Sequence, residues 1–419
     1  MMYRKSTLPN GLRVLTESMP AVRSVTIGIW ADVGSSWEAR EQRGISHLVE
    51  HMLFKGTQQR TARAIAETMD GVGGNLNAFT DKETTCYYAK VIDRHAPLAM
   101  NVLADMFLHS TFDPTELAKE QNVVLEEIKM YDDSPDELIH DLFLQTMWSG
   151  ANLGEPTIGF ADTIARFAPD DLRAHMARHY APNAVVVAAA GNVEHEHFVE
   201  LVEREFAAFR GSCELPQPEA PPTTPDRLVR QKDSEQAYVV VGTRGLSVRD
   251  ERRYALSLLD TILGGGMSSR LFQEIREKRG LVYTVYSFQA AYRAAGLFGV
   301  YAGTSPENVQ SCIDLIVEEF GRIRKVRVDG NELHLAKEHI KGNLTLSLES
   351  TSGRMIRLGR NEFALGRHVT PEEIEQRIDA VNAAEVQELA NELLVEKNLG
   401  LCIIGPVDES AIAWNRDAA

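Results

Sequence analysis

Two histidines and a carboxylate lie close together in residues 47–51 (HLVEH). The surrounding segment, residues 44–56, is mostly apolar and predicts a helix with little surface left for water. Positions three and four apart share one face of a helix, so His47 and His51 can direct their rings at one ion, with Glu50 beside them. Zinc binds neutral imidazole and carboxylate groups, and a catalytic zinc site keeps three protein ligands and a position for water. This helix therefore supplies two of three ligands.

A later helix offers the missing ligand. Its start is marked by Asp113 as a cap and by Pro114 at the first helical position. Further along, Glu120 and Glu127 lie two turns apart on one face, close to apolar residues. Glu127 is the preferred third ligand, although the residue types alone do not separate it from its neighbour Glu126.

A zinc ion at this place predicts hydrolytic chemistry. Zinc lowers the pKa of a bound water from above 15 to about 7. Glu50, held beside the ion without binding it, is then the candidate general base that takes the proton from this water. The natural use of such a site is hydrolysis of an amide bond. The alternative is a partly exposed polar helix face without an ion, but the histidines interrupt a run so apolar that it leaves little room for a solvated face.

Composition and charge restrict the classes of function. The chain has 419 residues, which exceeds what one hydrophobic core usually serves and predicts two domains. The net charge of −16 argues against a nucleic acid as the main partner and favours basic ligands such as cationic peptides. The residues 264–266 (GGG) are not followed by GK[ST], so nucleotide binding is not expected.

Cysteine usage and hydropathy bear on the cellular compartment. The four cysteines are far apart and form no CxxC pair, which predicts reduced thiols and no thiolate zinc site. The first twenty residues lack the apolar core of a signal peptide, and no run of eighteen apolar residues occurs. We therefore expect a soluble, cytoplasmic protein with no membrane partner.

Residues 211–226 contain five prolines and predict an extended linker between two domains, 1–210 and 227–419. The order strand, helix, helix, hairpin occurs on both sides of the linker. In addition, VVVAAAGNV, which begins two positions after Asn183, resembles GLCIIGPV, which begins two positions after Asn398. These features predict an α+β fold of two duplicated domains, each a largely antiparallel sheet with helices packed on one face. The metal-binding residues have no counterpart in the second half, which we expect to be metal-free.

The HLVEH motif, the Glu-rich helix and the segment GGNLNAFTDKETTCYY resemble the inverted-zincin metallopeptidases, the pitrilysin or insulinase family. The length resembles the branch of the mitochondrial processing peptidase beta subunit, here as a bacterial homologue. The resemblance covers nearly the whole chain. It implies a zinc endopeptidase with one Zn²⁺ per chain, in which His47, His51 and Glu127 are ligands and Glu50 is the base. It also implies that Glu120 supports the ligands.

The same resemblance implies groups that handle the peptide substrate. It places the substrate along Asn77, Ala78 and Phe79, in a predicted hairpin whose edge can hold an extended peptide by main-chain hydrogen bonds. It assigns electrostatic roles to Arg276, which would bind a substrate carbonyl, and to Tyr283, which would donate to the oxyanion. The plain alternatives are an ordinary hairpin with Phe79 in the core, a surface arginine and a packed tyrosine.

Family members of this length work as dimers that close around a chamber, so the resemblance implies a homodimer acting on unfolded or short peptides. Arg276 and Tyr283 then serve either their own zinc site or that of the partner chain. The alternative function is a catalytically silent subunit of the same fold, and an obligate heterodimer is the alternative assembly. The sequence leaves open the physiological substrate and whether cobalt or manganese replaces zinc.

Overall fold

The structure is a computed structural model, and it describes residues 2–414. The elements of the first half are β1 Met2–Thr7, β2 Arg13–Ser18, β3 Ser24–Ala31, α1 Ile45–Leu53, α2 Ala62–Asp70, β4 Asn75–Thr80, β5 Thr85–Ile92, α3 Ala96–His109, α4 Pro114–Asp133, α5 Pro135–Met147, α6 Ala161–Ile164, α7 Pro169–His179, β6 Val185–Gly191 and α8 His195–Glu205. Those of the second half are β7 Arg227–Gln231, β8 Ala237–Arg244, α9 Arg253–Gly264, β9 Val282–Ala291, β10 Gly296–Thr304, α10 Val309–Lys325, α11 Gly330–Ser347, α12 Thr351–Leu365, α13 Pro371–Ala380, α14 Ala383–Leu393 and β11 Gly400–Gly405.

The first sheet has six strands in the order β1-β2-β6-β3-β5-β4. Every neighbouring pair is antiparallel except β2 and β6, which are parallel. Along β3, Val25, Ile27 and Ile29 join one buried cluster while Trp30 joins another, because successive side chains point to opposite faces of a sheet. Both faces of this sheet are therefore buried.

The second sheet has five strands in the order β7-β11-β8-β10-β9. This order corresponds, strand by strand, to β2-β6-β3-β5-β4 in the first sheet. The single parallel pair of the second sheet, β7 with β11, corresponds to the parallel pair β2 with β6 of the first. The α+β fold class is thereby confirmed, and the shared strand order supports the predicted duplication. In this correspondence α9 takes the position of α1, between the third strand and the hairpin.

The chain forms two compact units, and neither is continuous in sequence. Among the described residues, the first contains 2–129 together with 155–217 and 347–368, and the second contains 130–154, 218–346 and 369–414. The continuous domains predicted from the sequence, 1–210 and 227–419, differ from these units in two segments, 130–154 and 347–368. Each unit thus takes one long helix from the other half of the chain.

In the first unit, α12 packs on the face of the sheet opposite to α1 and α3. Gly359 makes this close packing possible, because a Cβ atom at this position would lie 2.2 Å from Trp30 Cε2. Trp30 is fully buried, and its Nε1 donates to Met355 Sδ at 3.3 Å. In the second unit, α5 packs in the same way, with Ile139 and Phe143 buried against strands β8 and β11.

Three other expectations concern the second unit, the thiols and membranes. The sequence pattern predicts a regular helix over residues 268–278, but Phe272–Glu277 has π-helical hydrogen bonding. All four cysteines are free thiols, as expected. Among residues 2–414, no helix combines the length and the apolar character needed to cross a membrane.

Candidate metal centre

The α1 helix presents its polar residues on one face because its apolar residues are buried on the others. Ile45, Leu48, Val49 and Leu53 are completely buried against the first sheet and its helices. Gly44 precedes the helix at φ +91°, a backbone conformation that favours glycine. This packing leaves the residues at positions 47, 50 and 51 on the remaining face.

Glu38 caps the beginning of α1. Its carboxylate accepts hydrogen bonds from Gly44 N at 2.7 Å and from Ser46 N at 2.8 Å, where the helix dipole also favours negative charge. Burial raises the pKa of Glu38 to about 7, and the hydrogen bonds from the helix oppose this rise. No sequence signal marks this cap, since the carboxylate comes from a loop six residues before Gly44.

The three predicted ligands converge. Glu127 Oε2 lies 3.9 Å from His47 Nε2 and 3.7 Å from His51 Nε2. The three residues each offer one ligand atom, and these three atoms lie within 4.8 Å of one another. Tetrahedral zinc with bonds of about 2.1 Å needs ligand atoms roughly 3.4 Å apart, so small side-chain adjustments suffice. The side chain of Glu126 is 72% exposed and pairs with Lys129, so Glu127, and not its neighbour, faces both histidines.

The protonation state of His47 suits a metal cation, whereas the pKa values of His51 and Glu127 are raised. Burial, helped by the nearby His51, lowers the pKa of His47 to about 3, so this imidazole is neutral at neutral pH and able to act as a ligand. Burial also acts to lower the pKa of His51, but the hydrogen bond to Glu120 and the charges of nearby carboxylates outweigh it and raise this pKa. Burial raises the pKa of Glu127. The buried Nδ1 of His47 has no hydrogen-bond partner among residues 2–414.

Glu50 is oriented from the neighbouring sheet. Thr80 Oγ1, at the end of β4, donates a hydrogen bond of 2.6 Å to Glu50 Oε2. Burial raises the pKa of Glu50, and the bond from Thr80 counteracts this rise by favouring the charged carboxylate. Sequence reasoning assigns Thr80 no role of its own, because a threonine at a strand end is unremarkable until the packing of β4 on α1 is known.

Glu120 lies behind His51, in the position expected of a supporting acid. It is only 5% exposed, and its Oε2 lies 3.1 Å from His51 Nδ1. Its other oxygen, Oε1, lies 2.7 Å from Lys55 Nζ. Although burial acts to raise the pKa of Glu120, the hydrogen bonds from His51 and Lys55 prevail and lower it. The carboxylate therefore holds Nδ1 of His51 and leaves Nε2 facing Glu127.

The segment predicted to bind substrate lies in β4, at the end of the first sheet. Strand β4 pairs with β5 along one side, in the predicted hairpin. Asn77 is exposed, and its side-chain Oδ1 accepts a hydrogen bond from the main-chain N of Ala78 at 2.8 Å. Phe79 is half-buried and packs edge-on against Trp30, with ring centroids 5.4 Å apart.

Arg276 and Tyr283 belong to the second unit, where they lie together. The Arg276 guanidinium lies 5.2 Å from the centre of the Tyr283 ring and 4.8 Å from that of Phe272. Tyr283 is 75% exposed, so it is not the packed strand residue of the plain alternative. Its phenol group is accessible from solvent.

Comparison with known proteins identifies the family. Residues 13–160 match the family model of insulinase (peptidase family M16), and residues 166–340 match that of the peptidase M16 inactive domain. The chain is 45% identical over 405 residues to YmxG of Bacillus subtilis, covering 97% of this chain and 98% of that protein. It is 42% identical over 426 residues to SCO5738 of Streptomyces coelicolor, covering 99% and 92%. Both relatives are named uncharacterized zinc proteases, which supports a metalloprotease.

A solved structure agrees at the level of the fold. The peptidase M16 inactive domain from Pseudomonas fluorescens superposes with a TM-score of 0.91 at 22% identity, covering 97% of this chain and 98% of that one. The class that these matches support is a zinc-dependent protease of two similar domains. The chain belongs to peptidase family M16, the insulinase or pitrilysin family.

Proposed function

We propose that this protein is a zinc-dependent endopeptidase that hydrolyses unfolded or short peptides. The observation that carries the proposal is the convergence of His47, His51 and Glu127 on one point, beside a Glu50 carboxylate that Thr80 holds in place. The donor set fits zinc, since it consists of two imidazole nitrogens and one carboxylate oxygen. A bound zinc ion, one per chain, would polarise the substrate carbonyl and make a water molecule acidic enough to attack at neutral pH.

The proposal assigns a distinct role to each of the candidate site residues. Glu50 accepts the proton of the attacking water and passes it to the leaving amine. The exposed edge of β4, at Asn77, Ala78 and Phe79, pairs with the extended substrate by main-chain hydrogen bonds, which requires no particular side chain. In the second unit, Arg276 and Tyr283 stabilise the charge that develops on the carbonyl oxygen.

The net charge of −16 favours basic substrates, because negative potential attracts cationic peptides. The proposal includes a cytoplasmic homodimer of the processing-peptidase type that encloses its substrate. Whether Arg276 and Tyr283 act on their own or the partner chain can be tested by mixing Glu50→Gln chains with Arg276→Ala chains. Recovery of activity after mixing indicates action across the dimer, since one of the two sites then carries neither substitution.

The main test compares peptide cleavage by the wild type and Glu50→Gln, with and without a chelator. We expect cleavage of a quenched peptide library that stops on chelation and returns with zinc. Glu50→Gln should keep its zinc and lose about 10²- to 10⁴-fold in kcat, the usual contribution of a general base. Glu126→Gln is the matched control, because Glu126 is exposed and pairs with Lys129.

The competing proposal, a catalytically silent subunit, predicts a different result. A zinc-loaded homodimer that cleaves no peptide would favour it, and mass measurement by size-exclusion chromatography would show whether the chain assembles by itself. Cleavage that persists without zinc would contradict both proposals.

A further inference from the structure

We propose that Lys55 is a positioning residue of the metal centre, which fixes Glu120 and, through Glu120, the ring of His51. This inference rests on the proposed function, because it takes His51 to be a zinc ligand. Lys55 belongs to none of the motifs that identified the centre.

The contacts form an unbroken chain. Lys55 Nζ lies 2.7 Å from Glu120 Oε1, and Glu120 Oε2 lies 3.1 Å from His51 Nδ1. Each carboxylate oxygen therefore has its own partner. The glutamate side chain is 7% exposed and the lysine side chain 29% exposed, so this ion pair is mostly shielded from water, in contrast to ordinary surface pairs.

The local backbone places Lys55 where it can act. Helix α1 ends at Leu53, and Lys55 N donates to Met52 O at 3.1 Å, which continues the helical turn. The chain then turns sharply at Gly56, whose φ is +118°, and Gly56 pairs with Thr61 in a β-bridge. Lys55 is four residues beyond His51, so both side chains lie on the side of the helix end that faces Glu120.

The orientation of the carboxylate has a consequence for metal binding. A histidine that binds zinc through Nε2 must carry its proton on Nδ1, and a carboxylate that accepts from Nδ1 selects this tautomer and fixes the ring. Because Lys55 holds Oε1, the Glu120 carboxylate is oriented so that its Oε2 faces His51. Without Lys55, a buried carboxylate oxygen loses its cationic partner and the group is free to rotate away from the imidazole.

The simpler alternative is that the pair of Lys55 and Glu120 only stabilises the fold. The two explanations differ in how substitutions combine. If Lys55 acts on zinc through Glu120, its removal has no further effect on zinc affinity once Glu120 is changed. If the two residues contribute separately, their effects on affinity add.

The experiment measures the zinc dissociation constant by competition with a chromophoric chelator. It uses the full-length wild type, Lys55→Met, Lys55→Arg, Glu120→Gln and the double variant Lys55→Met/Glu120→Gln. Loss of a group that orients a ligand typically weakens metal binding 10- to 100-fold, and we expect about tenfold for Lys55→Met because it acts one contact further away. Lys55→Arg should stay within about threefold of the wild type, because it retains a cation and donors.

The double variant should bind zinc within about twofold of Glu120→Gln alone. The matched control is Lys119→Met, which removes an exposed lysine that pairs with the half-buried Glu116 on the same α4 helix and should leave zinc affinity unchanged. Thermal unfolding of the zinc-free proteins separates loss of fold from loss of affinity.

Two results overturn the inference while leaving the proposed function intact. One is Lys55→Met with wild-type zinc affinity. The other is a double variant in which the losses of zinc affinity caused by Lys55→Met and Glu120→Gln add up. If the wild type itself binds no zinc, the proposed function fails before Lys55 is considered, so the two failures are distinguishable.

Discussion

Thr80 provides the most direct test of how the site is organised, because its hydroxyl is the hydrogen-bond donor that orients the proposed base. Replacing Thr80 by valine keeps the shape and removes the bond of 2.6 Å to Glu50. A hydrogen bond to a charged group contributes about 1.5 to 3 kcal/mol. If this energy orients Glu50 in the transition state and is not expressed in the ground state, its loss lowers kcat by up to roughly 10- to 150-fold.

The pH dependence of Thr80→Val should shift in a defined direction. Glu50 acts as a base only when it is deprotonated, and the Thr80 hydrogen bond lowers its pKa by stabilising the carboxylate. Without the donor the pKa rises, so activity is lost at a higher pH as the solution is acidified. Zinc affinity should not change, because Thr80 contacts none of the three ligands in the hydrogen bonds described for it.

The assay is steady-state cleavage of a quenched peptide between about pH 5 and 9, with zinc affinity measured in parallel. Thr80→Ser should restore most of kcat, because serine keeps the donor. Thr68→Val is a matched control, since the Thr68 hydroxyl donates to Ala64 O within its own helix. A Thr80→Val enzyme with kcat within about twofold of wild type and an unmoved acid limb would refute the reasoning.

Three further predictions concern packing and metal binding. Gly359→Ala should destabilise the protein by about 1 to 3 kcal/mol in urea unfolding, because the added Cβ would meet the Trp30 ring. Gly342→Ala, at a helical position with open space around it, should instead stabilise the protein by about 0.5 to 1 kcal/mol. Zinc binding near pH 6.5 should release up to one proton from the two imidazoles, from His51, whose pKa is raised above 6.5, because the pKa of about 3 leaves His47 already neutral. Calorimetry in buffers of different ionisation enthalpy measures this number, and release of two protons would contradict it. Zinc at about 100 times its dissociation constant should stabilise the wild type by about 2.7 kcal/mol, a shift in thermal unfolding that His47→Ala should abolish.

Local sequence signals predicted much of the fold. The α4 helix begins at Pro114, and Asp113 caps it by accepting from Thr115 N and Glu116 N, as the sequence predicted. The predicted hairpin is formed by β4 and β5, and at its turn Asp81 Oδ1 accepts from two main-chain amides. These features depend on neighbours in sequence, so the sequence displays them directly.

Local signals could not predict which segments of the chain form each of the two units. The apolar residues of α5 and α12 indicate that each helix buries one face, but they do not indicate which sheet covers it. Strand β1 and the π-helical turn at Phe272–Glu277 were also not anticipated. Such features depend on contacts between residues far apart in sequence.

The candidate site shows the same division. His47, His51 and Glu50 form a motif, and the family resemblance supplied Glu127 and Glu120 by spacing. Partners such as Glu38, Lys55 and Thr80 are ordinary residue types at positions without a motif. Their relation to the site follows only from the packing of loops and strands around α1.

The position of α12 has a consequence for synthesis of the protein. Its contacts cover Leu15, Trp30 and Val186 on one face of the first sheet, yet α12 ends only at Leu365. The earlier segments of that unit are complete at residue 217, about 150 residues before. At a translation rate of about 5 to 20 residues per second, the apolar face stays uncovered on the ribosome for roughly 7 to 30 s. The unit that carries the proposed metal ligands therefore finishes folding only when nearly the entire chain has been made, and the nascent chain exposes an apolar sheet face during that interval.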